Sequence, residues 1–415
     1  MPSPNWDNTT LFADDDPSDR AFRHEVRGWI GENLPAELCN RSTRIDPPEL
    51  KPWHRKLHER GWIAPHWPKE FGGMGATLTQ QIILFEEISR VGAPTPYPHG
   101  LNFIGPLIID AGTPEQKAKH LPPILTGEIT WCQGYSEAGA GSDLVRLETR
   151  AELEGDHFVV NGHKMWTTNG HFADWMFALV RTDRNATPRH AGISMLLIDL
   201  RSPGITVRPI QTIKGDAEFA EELLVDVRVP RENLLGGLND GWKVANRLLG
   251  SERFTTGHPR NAAVLLNKAR QVAELTGATH EAGFLHKLAA LEIDLMAFSA
   301  YYHHAAALHG EKRAPFSMAP VIKIVGGELG QRASELLVEA AAGYGPLMED
   351  TMVGNRVINP AAEMFEMRRV TVGSGAVEIQ RNIIAKRVLG LPVDARATVS
   401  DACTFVAPRR RVKGN

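Results

Sequence analysis

The sequence predicts an α+β chain of three domains. An N-terminal helical domain (1–127) precedes a middle antiparallel β-barrel or sandwich (128–238) and a C-terminal four-helix bundle (239–395), with a tail at 396–415. Two changes of hydrophobic period predict this order. Apolar residues recur at helical spacing up to about residue 126, give way to short β-branched or aromatic runs, and return to helical spacing from about residue 240. A chain of 415 residues also exceeds what one small core holds.

In the first domain, Phe22, Val26, Trp29 and Ile30 lie at helical spacing, as do Leu57, Trp62 and Ile63. Thr113-Pro114-Glu115-Gln116 reads as a helix start, with Thr113 as cap, Pro114 in the first turn and Gln116 completing a capping box. The glycines and prolines of GWIAPHWPKEFGGMGAT (61–77) forbid continuous helix. In the middle domain, AELEGDHFVV turns at Gly155-Asp156, and NGHK (161–164) reads as a further turn. Extended runs follow at 164–169, 174–182, 192–199, 204–213 and 221–229, the spacing of a sandwich or barrel. In the last domain, 283–308 and 327–343 are alanine-rich and suit long packed helices.

Composition narrows the function classes. Apolar residues at 42%, charged residues at 23% and a net charge of -3 describe a globular protein with no basic face for nucleic acid. Arg409-Arg410-Arg411 and Lys413 read as a solvated terminus. Cys39, Cys132 and Cys403 are odd in number and form no CxxC, which points to a reducing compartment without disulfides or structural zinc. The first twenty residues are acidic and polar, unlike a secretory leader, and no apolar run spans a membrane. The expected location is the cytoplasm. Tyr301-Tyr302-His303-His304 is not read as a metal site, because adjacent helical residues diverge by about 100°.

QGYSEAGAGSDL (133–144) follows an apolar run like a dinucleotide fingerprint. That motif needs a helix after its glycine turn. Here a hairpin follows, and Leu144 stands at the third glycine position.

YSEAGAGSD (135–143), NGHKMWTTN (161–169) and EIQRNIIAKRVLGLP (378–392), with WPKEFGG before them and DVRVPRENLLG closing the β module, resemble the acyl-CoA dehydrogenase family. The resemblance runs from about Phe22 to Pro392. It implies that the chain is a flavoprotein oxidoreductase converting an acyl-CoA thioester to the trans-2-enoyl-CoA, with FAD as hydride acceptor, in β-oxidation of fatty acids or steroid side chains. It assigns FAD contacts to Gln133, Tyr135, Ser136, Gly141, Ser142, Trp166, Thr167, Thr168 and Glu378, and thioester contacts to Ser142 and Arg253. Trp166 would pack on the flavin ring, with Thr168 near N5. Ala138 departs from the family's usual proline.

Removing a weakly acidic α proton calls for a carboxylate in a dry pocket. The late Tyr-Glu-Gly-Thr position of many members holds Ser374 here, in TVGSGAVEIQR. A second branch carries the base in a Glu-Arg pair on the first helix of the bundle, and NRLLGSERF (246–254) matches it with Glu252 and Arg253. The resemblance therefore names Glu252 as the base.

Two departures bear on assembly. Residues 269–289 lack the family's Arg-x-x-Phe-Gly, and Glu339-Ala340-Ala341-Ala342-Gly343 replaces Gln-x-x-Gly-Gly. This is similar to a bacterial subgroup of mixed tetramers acting on bulky chains. The expected partners are acyl-CoA, an electron-transfer flavoprotein, and either a second copy (homodimer or homotetramer) or a related subunit. Alternatives are a non-catalytic subunit completing a partner's site, or a same-fold flavin monooxygenase or desulfinase.

Overall fold

Side-chain caps set where the N-terminal helices begin. The computed structural model describes residues 16–39, 45–310, 318–354 and 356–392, the side chains of 249–256 and 309–310 excepted. Helix α1 (Pro17–Asn33) starts at Asp16, α2 (Pro47–Glu59) at Asp46 and α3 (Leu78–Arg90) at Thr77. A π-helical turn at His99–Ile104 leads into α4 (Gly105–Ala111). Helix α5 (Pro114–Thr126) opens with the expected box. Thr113 Oγ1 accepts from the Gln116 amide at 3.2 Å, and Gln116 Oε1 from the Thr113 amide at 3.1 Å, so two orphan donors are satisfied reciprocally. The segment 60–77 is irregular, as its glycines and prolines require, and plugs Trp62 and Trp67 into the core.

The middle domain holds β1 (Trp131–Gly134), β2 (Arg150–Glu154), β3 (His157–Thr168), β4 (Trp175–Arg181), β5 (Ile193–Asp199), β6 (Ile205–Ile210), β7 (Phe219–Pro230) and β8 (Leu234–Leu235). They form one sheet in the order β6-β7-β3-β2-β4-β5-β8, with β1 added to β4. The order has two ends, so the sheet is open and no closed barrel forms, which is compatible with the sandwich-like alternative. Most pairings are antiparallel as expected, but β1 runs parallel to β4, and one further parallel pair joins β2 to β4. Every residue of β4 is buried. Phe177 and Leu179 join the core beneath the N-terminal helices, while Met176, Ala178 and Val180 fill the sheet's own inner core. A strand covered on both faces reads as a continuous apolar run.

One expectation needs correction. NGHK is not a turn: residues 161–164 lie inside β3, a single twelve-residue strand with register shifts at Val160/Gly162 and Met165/Thr167. The glycine serves a close approach, since a Cβ on Gly162 would sit 2.3 Å from Thr149 Oγ1.

The bundle comprises α6 (Gly241–Thr256), α7 (Arg260–Thr276), α8 (Ala282–Gly310) and α9 (Met318–Ala340). A short hairpin of β9 (Thr351–Val353) and β10 (Arg356–Ile358) follows, then α10 (Pro360–Arg368) and α11 (Val377–Ile383). Helix α9 ends before the expected Gly343, because Ala342 takes a left-handed φ of 50°. The hairpin escaped the sequence reading because three residues per strand show no period. Cys403 and the basic tail lie outside the described residues.

Candidate active site

The glycine loop after β1 is closed on itself. Glu137 and Ala140 exchange backbone hydrogen bonds of 3.1 and 3.0 Å across Ala138-Gly139. A Cβ on Gly139 or Gly141 would meet nothing within 4 Å, and Gly141 and Ser142 are exposed. The loop thus presents bare backbone to open space.

Strand β3 is tied to this loop at the point where it kinks. The Met165 amide donates to Ser136 O at 3.0 Å. Trp166, the next residue, is the extra one of the second register shift, with φ 64°. Left-handed backbone costs a non-glycine residue about 1–2 kcal/mol. The kink turns the indole outward: Trp166 is 56% exposed and, among the aromatic rings of the described residues, meets only Phe219, edge-on at 6.0 Å. Thr167 points the other way, its hydroxyl donating to buried Glu222 Oε2 at 2.6 Å. Thr168 is half-buried and ends the strand.

Beneath the loop lies a charged pair that the sequence reading missed. Lys164 has no exposed side-chain surface, and its Nζ donates to Glu137 Oε1 at 2.9 Å and to Tyr135 O at 3.1 Å. Glu137 also accepts from the amides of Glu148 and Thr149 at 2.7 and 2.9 Å. Burial opposes the Glu137 charge, yet Lys164 and these donors hold its carboxyl below the usual range. Burial likewise lowers Lys164, and Glu137 only partly restores it. Glu222 has no such balance: burial pushes its carboxyl up to about 7 against the Thr167 hydrogen bond and Lys164. A signal for these residues was available. Phe158, Val160, Gly162 and Lys164 alternate along β3, and Ala220, Glu222 and Leu224 along β7, so a charge falls on the inward face each time.

The remaining expected residues are dispersed. Gln133 is half-buried on β1, and Tyr135 is buried edge-on to Phe177, offering the loop its backbone. Glu378 is exposed in the first turn of α11, which packs on α9, and makes no hydrogen bond or ion pair among the described residues. Ser374 is half-buried at φ 55°. Glu252 and Arg253 lie within α6, but their side chains are outside those described. One turn earlier, Leu248 is buried in the core that α6 shares with the sheet and the N-terminal helices.

An open glycine backbone beside an outward-held planar aromatic suits a cofactor that combines a flat ring with an anionic tail, because backbone N–H groups receive phosphates without side-chain hindrance.

Family models match the chain in succession: the acyl-CoA dehydrogenase N-terminal domain over residues 16–128, the middle domain over 132–223 and the C-terminal domain over 239–389. Acyl-CoA dehydrogenase IpdE1 of Mycobacterium tuberculosis (strain ATCC 25618 / H37Rv) is 35% identical over 392 residues, spanning 90% of this chain and 98% of the relative. The solved Tcur3481-Tcur3483 steroid ACAD is similar with a TM-score of 0.80 and 29% identity, over 92% of this chain and 100% of that one. The ChsE4-ChsE5 complex from Mycobacterium tuberculosis gives a TM-score of 0.79 at 29% identity, over the same shares. Fold and likeness together define an oxidoreductase acting on CH–CH bonds. The chain belongs to the acyl-CoA dehydrogenase family, whose members are FAD-dependent.

Proposed function

We propose that this acyl-CoA dehydrogenase binds FAD between the 135–143 loop and the Trp166–Thr168 segment, and that Glu252 is its base. The observation that carries the reading is the kink at Trp166, held beside the open loop by the Met165–Ser136 hydrogen bond. Ser136, Gly141 and Ser142 would receive the cofactor's polar edge and phosphates, with further contacts from Gln133 and Glu378 and from the backbones of Tyr135 and Thr167, whose side chains are turned inward. FAD, when bound, supplies the two-electron acceptor. Trp166 and Thr168 orient the ring, Ser142 and Arg253 hold the CoA arm, and the Glu252 carboxylate takes the α proton of the thioester. Helix register supports Glu252, because it falls one turn after buried Leu248.

The substrate class we favour is a bulky acyl-CoA such as a steroid side chain, since solved steroid dehydrogenases are among the similar structures. Electrons would pass to an electron-transfer flavoprotein in the cytoplasm. No helix among the described residues is long and apolar enough to cross a membrane.

A second reading concerns assembly. Leu285, Ile293 and Met296 are exposed along α8 at 44%, 66% and 56%, an apolar stripe that suits a subunit contact. One of the similar solved structures is the ChsE4-ChsE5 complex from Mycobacterium tuberculosis. We infer a dimer or tetramer, with a related subunit as the favoured partner.

The test is anaerobic mixing of the yellow protein with a panel of acyl-CoA thioesters while flavin bleaching is followed. Glu252→Gln should keep the colour and lose roughly 10²–10⁴ in bleaching rate. Undiminished bleaching removes Glu252 from the mechanism.

A further inference from the structure

Glu222 has no part in the chemistry above, yet it lies inside the β domain directly behind the proposed flavin support. Its residue is fully buried, and the Oε2 atom accepts from Thr167 Oγ1 at 2.6 Å. Oε1 has no hydrogen-bond partner among the described residues. Room for it exists because residue 170 is glycine: a Cβ there would fall 2.1 Å from Oε1. Thr167 sits between Trp166 and Thr168, so the carboxyl anchors the strand immediately after its kink.

We propose that Glu222 is a positioning residue for the flavin ring, holding the Trp166–Thr168 segment through Thr167 and adding a titratable charge behind it. This rests on the FAD reading above. The charged groups that act on Glu222 come from its own strand and from those packed on it. Glu221 on β7 raises its pKa, while Lys164 and the Thr167 hydroxyl on β3 lower it. Cys132 on β1 is itself pushed up by burial and then by Glu222. Glu137 and Arg181 act one step away, through Lys164. Burial outweighs the rest, so Glu222 changes charge near neutral pH, at about 7. A carboxylate behind the ring opposes the arrival of electrons, and a neutral carboxyl does not. Reduction potential should therefore carry the titration of this group.

The test is the midpoint potential of the flavin-loaded protein against pH, for wild type, Glu222→Gln and Thr167→Val. Glutamine keeps the acceptor for Thr167 but cannot ionise. The expected result is that Glu222→Gln and wild type coincide below about pH 6 and diverge above pH 7, with the variant more positive. Thr167→Val, which removes a bond favouring the charged form, should shift the inflection to higher pH. Curves that are parallel or superimposed at every pH overturn the proposal, because a purely structural role has no reason to converge in acid. Should Glu222→Gln fail to fold, Thr167→Val decides alone: an unmoved inflection, or none in wild type, overturns it. Failure to bind flavin in any form, wild type included, overturns the FAD reading and this inference together. Normal flavin binding with coincident curves removes only the role of Glu222.

Discussion

Lys164 Nζ lies 2.9 Å from Glu137 Oε1, and the two residues bridge the glycine loop and the strand that carries Trp166. The pair holds the loop's entry against the sheet from below, leaving Gly139, Gly141 and Ser142 open above while Ala140 is buried. Removing one partner of a buried pair leaves an uncompensated charge, which costs about 3–5 kcal/mol. Glu137→Gln strands the lysine and should lower stability to urea by that order. Lys164→Met should cost less, because Glu137 keeps the Glu148 and Thr149 amides. Equal and negligible losses in the two variants would mean that the pair does not close the loop.

Trp166 separates stability from function. Its exposed indole contributes little to folding, and its φ of 64° is strained. Trp166→Gly relieves that strain, so thermal unfolding of the FAD-free protein should be unchanged or shifted upward, while FAD affinity falls at least tenfold. Flavin fluorescence titration checks the second point. A variant that unfolds early but binds FAD normally would make Trp166 a structural residue.

Two buried titrating groups shape stability against pH. The Glu222 pKa is raised from 4.5 to about 7, so the folded state binds the extra proton between these values. Stability then falls as pH climbs from 4.5 to 7 and is level above, a change of about 3 kcal/mol. The difference between Glu222→Gln and wild type should grow by that amount across the window in urea titrations. A constant difference contradicts it. His258 acts with the opposite slope: burial between Phe85 and Tyr302, at 4.6 and 4.5 Å, lowers it to about 3. Its contribution is complete above pH 6.5 and lost as pH drops toward 3.

Gly105 is a steric requirement of the N-terminal wall. A Cβ there would fall 2.0 Å from Trp67 Cζ2, and Trp67 cannot retreat because its indole donates to Leu101 O at 2.7 Å. Gly105→Ala should destabilise by about 1–3 kcal/mol or more. A melting curve unchanged from wild type would show that the π-helical turn yields.

The α8 stripe gives a test of assembly. Ile293→Glu with Met296→Glu adds two charges to an exposed face, so the fold should persist while the assembled mass drops in light scattering. Unchanged mass would place the subunit contact elsewhere.

Much of this arrangement was legible from residue order alone. The three domains, the Thr113 capping box, the β2–β3 turn at Gly155 and the return of helical period near residue 240 each follow from local period or turn chemistry, which neighbouring residues carry among themselves. The resemblance in YSEAGAGSD and NGHKMWTTN led to the loop and to Trp166. Pairing across the sheet was not legible in the same way. The parallel seating of β1 on β4, the kink that turns Trp166 outward and the meeting of Glu222 with Thr167 across 55 positions depend on partners distant in sequence. Inward charges at 164 and 222 were visible as breaks in an apolar alternation. Their partners came only from the folded sheet, because a buried charge is stabilised by whatever the tertiary fold brings beside it.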